Sequence, residues 1–151
     1  MTRKAPVVTN HHVVCDGCGK VATFYPTSRF GPWYKCVPCD RSVGAHKDSG
    51  APKGTLADRP TRQARMAAHA VFDPLWADLG KGGRLRAYEW MAEALQIPTE
   101  EAHVAMMDVD RCQRLIEAVT VLEQDGGLEA WEAEREQRER DEAPSFGGGA
   151  R

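Results

Sequence analysis

Two Cys-x-x-Cys motifs constrain this chain more than any other feature. Cys15 and Cys18 form the first motif, Cys36 and Cys39 form the second, and 17 residues separate them. Two intervening residues allow a tight turn to direct both sulfurs at one tetrahedral ion, and the spacer is long enough for two strands that return the second turn to the first. A single motif would fit a redox pair equally well, but two at this spacing predict that the four cysteines hold one Zn²⁺.

The predicted zinc has a structural role. Four thiolates complete a tetrahedral shell, so no position remains for a catalytic water. Between the motifs, residues 21–25 and 33–36 are rich in β-branched and aromatic side chains, and residues 26–32 have the composition of a turn. This pattern predicts a zinc ribbon of short β-hairpins over residues 12–50, after a flexible N-terminus over residues 1–11. The glycines, prolines and mixed charges of residues 41–53 are typical of a loop.

The following residues, 51–125, have the patterns of a compact helical domain. Asp58 is placed to cap a helix whose first turn contains Pro60. The glycines at positions 80, 82 and 83 predict a break before a helix over residues 84–96. Asp108 is placed to cap a further helix, which has the clearest amphipathic stripe of the chain. That stripe consists of Cys112, Leu115, Ile116, Val119 and Leu122.

The net charge of −2 conceals two unlike halves. Residues 1–91 contain 14 Lys and Arg against 7 Asp and Glu, whereas residues 92–151 contain 6 against 15. Zinc bound by four thiolates adds about −2 to the first half, so its basic excess is moderate. Much of the acidic excess lies in a predicted helix over residues 126–143, which precedes a Gly-rich tail, residues 144–151, predicted to be disordered.

These patterns together predict an α+β fold, mainly α, with an N-terminal four-cysteine zinc ribbon, a compact helical domain and an acidic C-terminal helix. No run of eighteen apolar residues is present, as a membrane span would require. No apolar segment follows the first basic residues, as a secretory signal would require. We therefore expect a cytoplasmic protein whose partners include neither a membrane nor an evident small-molecule substrate.

The cysteine motifs are accompanied by short strings that carry a family resemblance. The strings are Val43-Gly44-x-His46, Gly54-Thr-Leu-Ala-Asp58, Ala68-His69-x-x-Phe72-Asp73-Pro74-Leu75-Trp76, Tyr88-x-Trp90-Met91-Ala92, and His103 ahead of Cys112. With them, over about residues 12–122, the chain resembles a small family of bacteriophage and prophage zinc-finger-containing proteins. The resemblance implies a zinc-bearing phage accessory protein. In that family a cysteine often precedes the histidine that corresponds to His103, whereas this chain has Ala102 there.

The first functional hypothesis is nucleic-acid binding by the ribbon and the first helix. Five aromatic residues lie within residues 24–34, between basic side chains. Single strands use such surfaces for base stacking and phosphate contact. The candidate residues are Lys20, Arg29, Trp33, Tyr34, Lys35, Arg41, Arg62 and Arg65. The alternative is that some of these rings form the ribbon's own core, because so small a module has few other apolar groups to bury.

A second hypothesis is a protein adaptor or inhibitor that docks on a host nucleic-acid-processing complex. The acidic helix would supply the charged surface, and Trp131 would anchor it. A solvated helix face is the simpler explanation of such a run of charges. The expected partner is thus nucleic acid, a host protein complex or both.

A third hypothesis is a metal-dependent nuclease variant. His46, His69, Asp73 and His103 form a possible second polar site, in which His69 and Asp73 share a helix face. Asp73 also precedes a proline, so an N-cap explains it equally well. Nuclease motifs of the His-Asn-His type need an asparagine, and the chain's Asn10 lies upstream of both cysteine motifs. We therefore expect a non-enzymatic protein.

Overall fold

The computed structural model describes residues 11–144, apart from the side chain of Lys81. It has a small antiparallel sheet followed by five helices. The flexible N-terminus predicted for residues 1–11 and the disordered tail predicted for residues 144–151 lie outside the described residues, except for residues 11 and 144 themselves. The α+β fold, mainly α, is confirmed.

The sheet contains three strands, β1 (Thr23–Tyr25), β2 (Trp33–Cys36) and β3 (Arg41–Gly44), in that spatial order. The predicted hairpin of β1 and β2 is confirmed, with Tyr25 opposite Trp33. The prediction of a loop at the start of residues 41–53 is wrong, because β3 pairs along the whole of β2. Its Ser and Gly residues have little intrinsic strand preference, so the strand forms because β2 offers it a complete set of backbone partners.

The segment after β3 extends this pairing. Ala45 forms a bridge with Pro52, and Ser42 forms one with Ala57. The N–H of Lys53 donates to the carbonyl oxygen of Gly44 at 2.9 Å. The ribbon's backbone pairing therefore continues to Ala57, beyond the residue 50 at which the sequence placed its end.

The ribbon sheet has two unlike faces, because side chains alternate along each strand. Its inner face buries a small core of Ala22, Tyr34 and Ala45. The Tyr34 hydroxyl donates to the carbonyl oxygen of Gly50 at 2.5 Å, so its polar atom is satisfied inside. We call the opposite side the outer face; it carries Tyr25, Trp33, Lys35, Ser42 and Gly44.

The helical domain begins directly after the ribbon. Its helices are α1 (Arg59–Phe72), α2 (Pro74–Ala77), α3 (Gly80–Leu95), α4 (Val109–Gln124) and α5 (Gly127–Glu142), and two short 3₁₀ turns, Thr99–Glu101 and Val104–Met106, lie between α3 and α4. Both predicted N-caps are confirmed: Asp58 accepts from the N–H of Thr61 at 2.9 Å, and Asp108 accepts from the N–H of Arg111 at 2.8 Å.

One apolar core holds the helices together. The stripe predicted on α4 is confirmed, because Cys112, Leu115, Val119 and Leu122 are buried. Their largest fully buried neighbours are Phe72 of α1, Met91 of α3, and Val104 and Met107 before α4.

The predicted break before α3 is present at Asp78 and Leu79, but α3 begins at Gly80 and contains the glycines at positions 82 and 83, which were expected to lie outside it. Close packing explains the glycine at position 83. A Cβ atom at Gly83 would lie 2.1 Å from the Cβ of Leu79, so this turn depends on a residue without a side chain.

The last helix, α5, is joined to α3. Its Leu128 is buried and Trp131 is packed against the core. Further along, Arg135 pairs with Glu89 at 2.8 Å and Arg138 with Glu93 at 2.9 Å. Within residues 11–144, no helix has the length and the apolar character that crossing a membrane demands.

Candidate metal centre and nucleic-acid face

The four cysteines lie on two tight turns at one end of the ribbon. In the first turn, the N–H of Cys15 donates to the carbonyl oxygen of Lys20, and the N–H of Gly19 donates back to that of Cys15. Gly19 has a φ of +72°, a conformation that side chains disfavour. The second turn follows β2, whose last residue, Cys36, is buried. Local backbone chemistry thus shapes both turns, and the pairing of β1 with β2 brings them together.

The sulfur atoms form a compact group. All four Sγ atoms lie within 4.8 Å of one another, and those of Cys18 and Cys36 are 3.5 Å apart. A tetrahedral zinc ion with Zn–S bonds of about 2.3 Å would separate its sulfurs by about 3.8 Å. The donor set and its spacing therefore fit one zinc ion, as the sequence predicted.

The electrostatics of this group also call for a cation. The Cys18 thiol, together with burial, raises the pKa of Cys39 to about 12. Burial raises the pKa of Cys15 as well, but hydrogen bonds from the N–H groups of Gly17 and Cys18 and from neighbouring thiols outweigh it and lower the pKa to about 7. The Cys15 thiol thus ionises readily, whereas hydrogen bonding to Cys18 and burial keep the Cys39 thiol protonated. A divalent cation removes that conflict and allows all four sulfurs to bind as thiolates.

A family model described as a zinc-finger-containing domain (DUF3268) matches residues 11–121. The chain belongs to this family. The match covers the ribbon and the helices through most of α4, and α5 lies beyond it. No curated protein and no solved structure matches the chain significantly. The prediction of a zinc-finger-containing protein with a four-cysteine centre is confirmed.

The outer face of this zinc-finger-containing protein carries an aromatic pair. The rings of Tyr25 and Trp33 are stacked, with centroids 4.7 Å apart and planes 19° from parallel. Both residues are half-buried, so part of each ring remains accessible. Trp33 was a predicted nucleic-acid contact, and its position on this face is compatible with that role.

A third aromatic ring lies in the loop between β1 and β2. Phe30 is 87% exposed, and the guanidinium of Arg29 lies 5.7 Å from its ring centroid. Arg29, Phe30 and Trp33 line a shallow cavity of about 400 Å³. Because the loop and β2 place these three side chains together, they form a surface that is both aromatic and basic.

The structure removes Tyr34 from the predicted set of nucleic-acid contacts. Its side chain is fully buried between Phe24 and the residues of the ribbon core, with the Phe24 ring centroid 4.9 Å away. The alternation of β2 turns Trp33 outward and therefore turns Tyr34 inward. Tyr34 holds the ribbon together and is not available for base stacking.

The remaining basic candidates of the ribbon have varied surroundings. Lys20 is exposed beside the first turn. The Nζ of Lys35 pairs with Asp40 at 3.3 Å. Arg41 lies against the first turn, since a Cβ atom at Gly17 would be 3.2 Å from its Cζ. Lys35 shares the outer face with Trp33 but is paired with Asp40, whereas Lys20 and Arg41 lie by the first cysteine turn.

Arg62 and Arg65 of α1 join the ribbon to the helical domain. Arg62 donates to the carbonyl oxygens of Asp40 and Ala57, and Arg65 donates to the carbonyl oxygens of Thr55 and Met107. Arg65 also donates to the Thr55 hydroxyl at 2.7 Å. The sequence offered these residues as nucleic-acid contacts, and it did not reveal that they also bind the two modules together.

The second polar site is not brought together. Among residues 11–144, the four zinc-site cysteines are the only group of three or more potential metal ligands within 4.8 Å of one another. His69 faces Asp73 at 3.3 Å, whereas His103 lies beside the ring of Tyr88, at 5.8 Å, and His46 is exposed on the ribbon. His46, His69, Asp73 and His103 thus do not form one metal site. Asp73 occupies the N-cap position of α2, as the alternative predicts, but its side chain makes no cap hydrogen bond there.

Sequence reasoning did not select Lys53, which lies beside Gly44 at the edge of the outer face. No local motif marks this lysine. It reaches the sheet because residues 51–57 pair with β3, and that pairing has no signal in the sequence.

Proposed function

We propose that this protein binds single-stranded nucleic acid on the outer face of its zinc ribbon. One observation carries the proposal: the stacked pair of Tyr25 and Trp33 lies on an accessible sheet face, next to the exposed Phe30. Every base has a flat π-face, so such rings bind unpaired bases of any sequence. Arg29, beside Phe30, supplies a positive charge for the neighbouring phosphate.

The exposure of Phe30 supports this proposal further. An apolar ring that is 87% exposed gains nothing from the protein's own core, while the ribbon buries other aromatic side chains such as Tyr34. The ring also stands at the tip of a loop, where it can enter between unstacked bases. In a duplex the bases are already stacked on each other, so we expect a preference for single strands.

The proposed role is binding and not catalysis. Four thiolates complete the coordination shell of zinc, so the centre we describe leaves no position for an activated water. The zinc instead holds β1 and β2 in the register that places Trp33 beside Tyr25.

Fluorescence anisotropy with a labelled oligothymidylate of about ten nucleotides tests the proposal, because comparable single-strand sites span that length. We expect the affinity to fall with increasing salt. We expect Trp33→Ala to weaken binding about tenfold or more, since stacking of one base is worth about 1–3 kcal/mol. Oligouridylate and a duplex of equal length show whether RNA and paired strands bind.

The control is Leu85→Ala, which removes an exposed apolar side chain, 64% accessible, from α3. It should bind as the unmodified protein does. Affinity that is the same at low and high salt, or the absence of binding to every DNA and RNA tested, would contradict the proposal.

A second candidate function is protein binding through α5. The arginines that face α3 pair with Glu89 and Glu93, which leaves carboxylates such as Glu129, Glu136 and Asp141 exposed elsewhere on the helix. A partner for these carboxylates would be a basic protein surface. Cross-linking of the nuclease-treated protein in host lysate, compared with the variant Glu129→Gln/Glu136→Gln/Asp141→Asn, tests it: capture that does not depend on these carboxylates contradicts it.

We further infer that the protein acts in the cytoplasm of a cell that carries a phage or prophage. The resemblance to phage and prophage proteins supports the origin, and the absence of disulfides among the cysteines of residues 11–144 supports the compartment, because thiols persist in a reducing environment. Cell fractionation and inspection of the neighbouring genes test both parts. Secretion of the protein, or a gene with no phage neighbours, would count against them.

A further inference from the structure

One row of residues crosses the outer face from the aromatic pair towards α1. Gly44 lies opposite Trp33, and Lys53 donates its N–H to the carbonyl oxygen of Gly44. The bridge between Ala45 and Pro52 sets this register, so Lys53 lies opposite Gly44. Directly opposed residues present side chains on the same face. Trp33 and Lys53 are therefore about 10 Å apart, two strand spacings, with a residue that has no side chain between them.

Helix α1 forms a wall beside this row. Arg62, Arg65, Met66 and His69 are spaced at i, i+3, i+4 and i+7, and so share one helix face. They border a cavity of about 300 Å³ together with residues of β3 and Lys53. We call this cavity the junction cleft and define it by Ser42, Gly44, Lys53, Arg62, Arg65 and His69. Gly44 borders both the junction cleft and the cavity beside Trp33, so the two lie next to each other on the sheet.

The junction cleft has the charge of an anion site. No Asp or Glu is among its bordering residues. None of the ion pairs formed within residues 11–144 involves Lys53, Arg62 or Arg65. His69 does face Asp73, the carboxylate of Asp58 lies near enough to act on the charges of both Arg62 and Arg65, and that of Asp108 acts on Arg65.

The two arginines are held in place without being neutralised. A guanidinium has five N–H donors. Arg65 uses three of them on Met107 and Thr55, and Arg62 uses one nitrogen on two carbonyl oxygens. Carbonyl and hydroxyl oxygens carry no net charge, so both cations remain and still have donors to offer. Met66, 72% exposed on the same wall, adds an adaptable apolar contact.

We propose that the junction cleft binds the phosphodiester backbone of the same strand whose bases stack on Trp33 and Phe30. The strand crosses the sheet over Gly44, and its phosphates meet Lys53, Arg62 and Arg65. This inference rests on the proposed function and adds a second half to its site. It makes the ribbon and α1 one binding surface, whose shape depends on the arginines that join the modules.

The experiment compares two oligothymidylates, a trinucleotide and a decanucleotide, on the zinc-loaded full chain. The short strand brings few phosphates to the cleft, whereas the long strand has enough phosphates to occupy the cleft while its bases stack on the aromatic end. We expect the decanucleotide to bind at least tenfold more tightly. Lys53→Gln should reduce the slope of log affinity against log salt by about 0.7 for the decanucleotide, the value for one lost phosphate contact. For the trinucleotide, which brings fewer phosphates to the cleft, the change in slope should be smaller.

Gly44→Val is the second variant, because it fills the floor between Trp33 and Lys53. A Cβ atom at this position would meet only the Cδ of Lys53, at 3.7 Å, and a β-branched residue suits a strand. Its zinc content and melting temperature should match those of the unmodified protein, while decanucleotide affinity falls to the trinucleotide level. Arg140→Gln, on the exposed side of α5, is the charge control for Lys53→Gln and should change neither slope nor affinity.

The outcomes separate the two proposals. If both strands bind equally and Trp33→Ala weakens both, the aromatic site stands and the junction cleft is wrong. The cleft is also wrong if Lys53→Gln leaves the salt slope of the decanucleotide unchanged. If neither strand binds, both proposals fall.

Discussion

The Nε of Arg65 donates to the carbonyl oxygen of Met107 at 2.8 Å, across a sequence separation of 42 residues. The other nitrogens of the same guanidinium donate to Thr55, in the last segment of the ribbon. One side chain of α1 therefore holds the end of the ribbon and the start of α4 in a common position. Burial lowers the pKa of Arg65, but an arginine keeps its charge throughout the ordinary pH range.

We predict that Arg65→Ala lowers the free energy of unfolding by about 2 kcal/mol, because three oxygen atoms lose a charged donor. Arg65→Lys should recover only part of this loss, since a lysine cannot reproduce the forked geometry. Urea denaturation followed by circular dichroism measures both. Arg59→Ala, an exposed change in the first turn of the same helix, is the control. Equal stability of Arg65→Ala and Arg59→Ala would show that this contact contributes nothing.

We predict one zinc ion per chain and its loss in Cys36→Ala. Three sulfurs leave the shell incomplete, and the ribbon has too small an apolar core to fold without metal. The helices have their own core around Phe72 and Leu115, so their far-ultraviolet signal should largely remain. Elemental analysis of the purified protein measures the zinc. Cys112→Ala, which removes a buried cysteine remote from the centre, should retain one zinc, and zinc retained by Cys36→Ala would refute the assignment.

The N-cap of α1 predicts that the stability of the protein depends on pH in the acidic range. Hydrogen bonds from the Thr61 hydroxyl and N–H hold the pKa of Asp58 below its usual value of 3.8. A lowered pKa in the folded state contributes stability above the unfolded pKa, and this contribution is lost as the pH falls through the folded pKa. We therefore expect the difference in melting temperature between the unmodified protein and Asp58→Asn to shrink below pH about 4. A difference that stays constant with pH would contradict the assignment.

The attachment of α5 depends on apolar contact more than on its charges. Leu128 is buried, and Leu128→Ala should lower the free energy of unfolding by about 2–3 kcal/mol. Arg135 and Glu89 are each more than a third exposed, so a double-mutant cycle on this pair should give a coupling of only about 0.5 kcal/mol. Urea denaturation of the four proteins in the cycle provides the measurement. A coupling energy larger than the loss of stability in Leu128→Ala would show that the charges contribute more than the apolar contact.

The features predicted correctly from the sequence have local causes. The spacing of Cys15 and Cys18 is the spacing that zinc requires. Asp58 caps α1 by accepting a hydrogen bond from the N–H of Thr61, only three residues later. The stripe of α4 follows from helical periodicity. Each of these signals is contained within one turn or one element, and the family match supports the whole zinc-binding unit.

The errors concern residues whose partners are distant along the chain. Strand β3 was predicted as loop because its composition gives no sign that β2 lies beside it. The break before α3 was predicted a few residues too late because nothing in the sequence shows that Leu79 packs on Gly83. Tyr34 was placed among the surface rings because its neighbour Trp33 resembles it in composition and differs only in the face that it occupies.

Residue order alone thus specifies the four zinc ligands, both aspartate caps and the buried stripe of α4, because turn chemistry, capping and periodicity act within a few residues. Only the assembled sheet shows that Tyr34 lies on the buried face of the ribbon and Trp33 on the accessible face. The alternation of side chains along a strand predicts that these two residues lie on opposite faces, but it does not show which of them faces inward. The position of Lys53 beside α1 likewise follows only from the tertiary structure. Side chains from three separate segments meet there, and only long-range backbone pairing and the contacts of Arg62 and Arg65 bring them together.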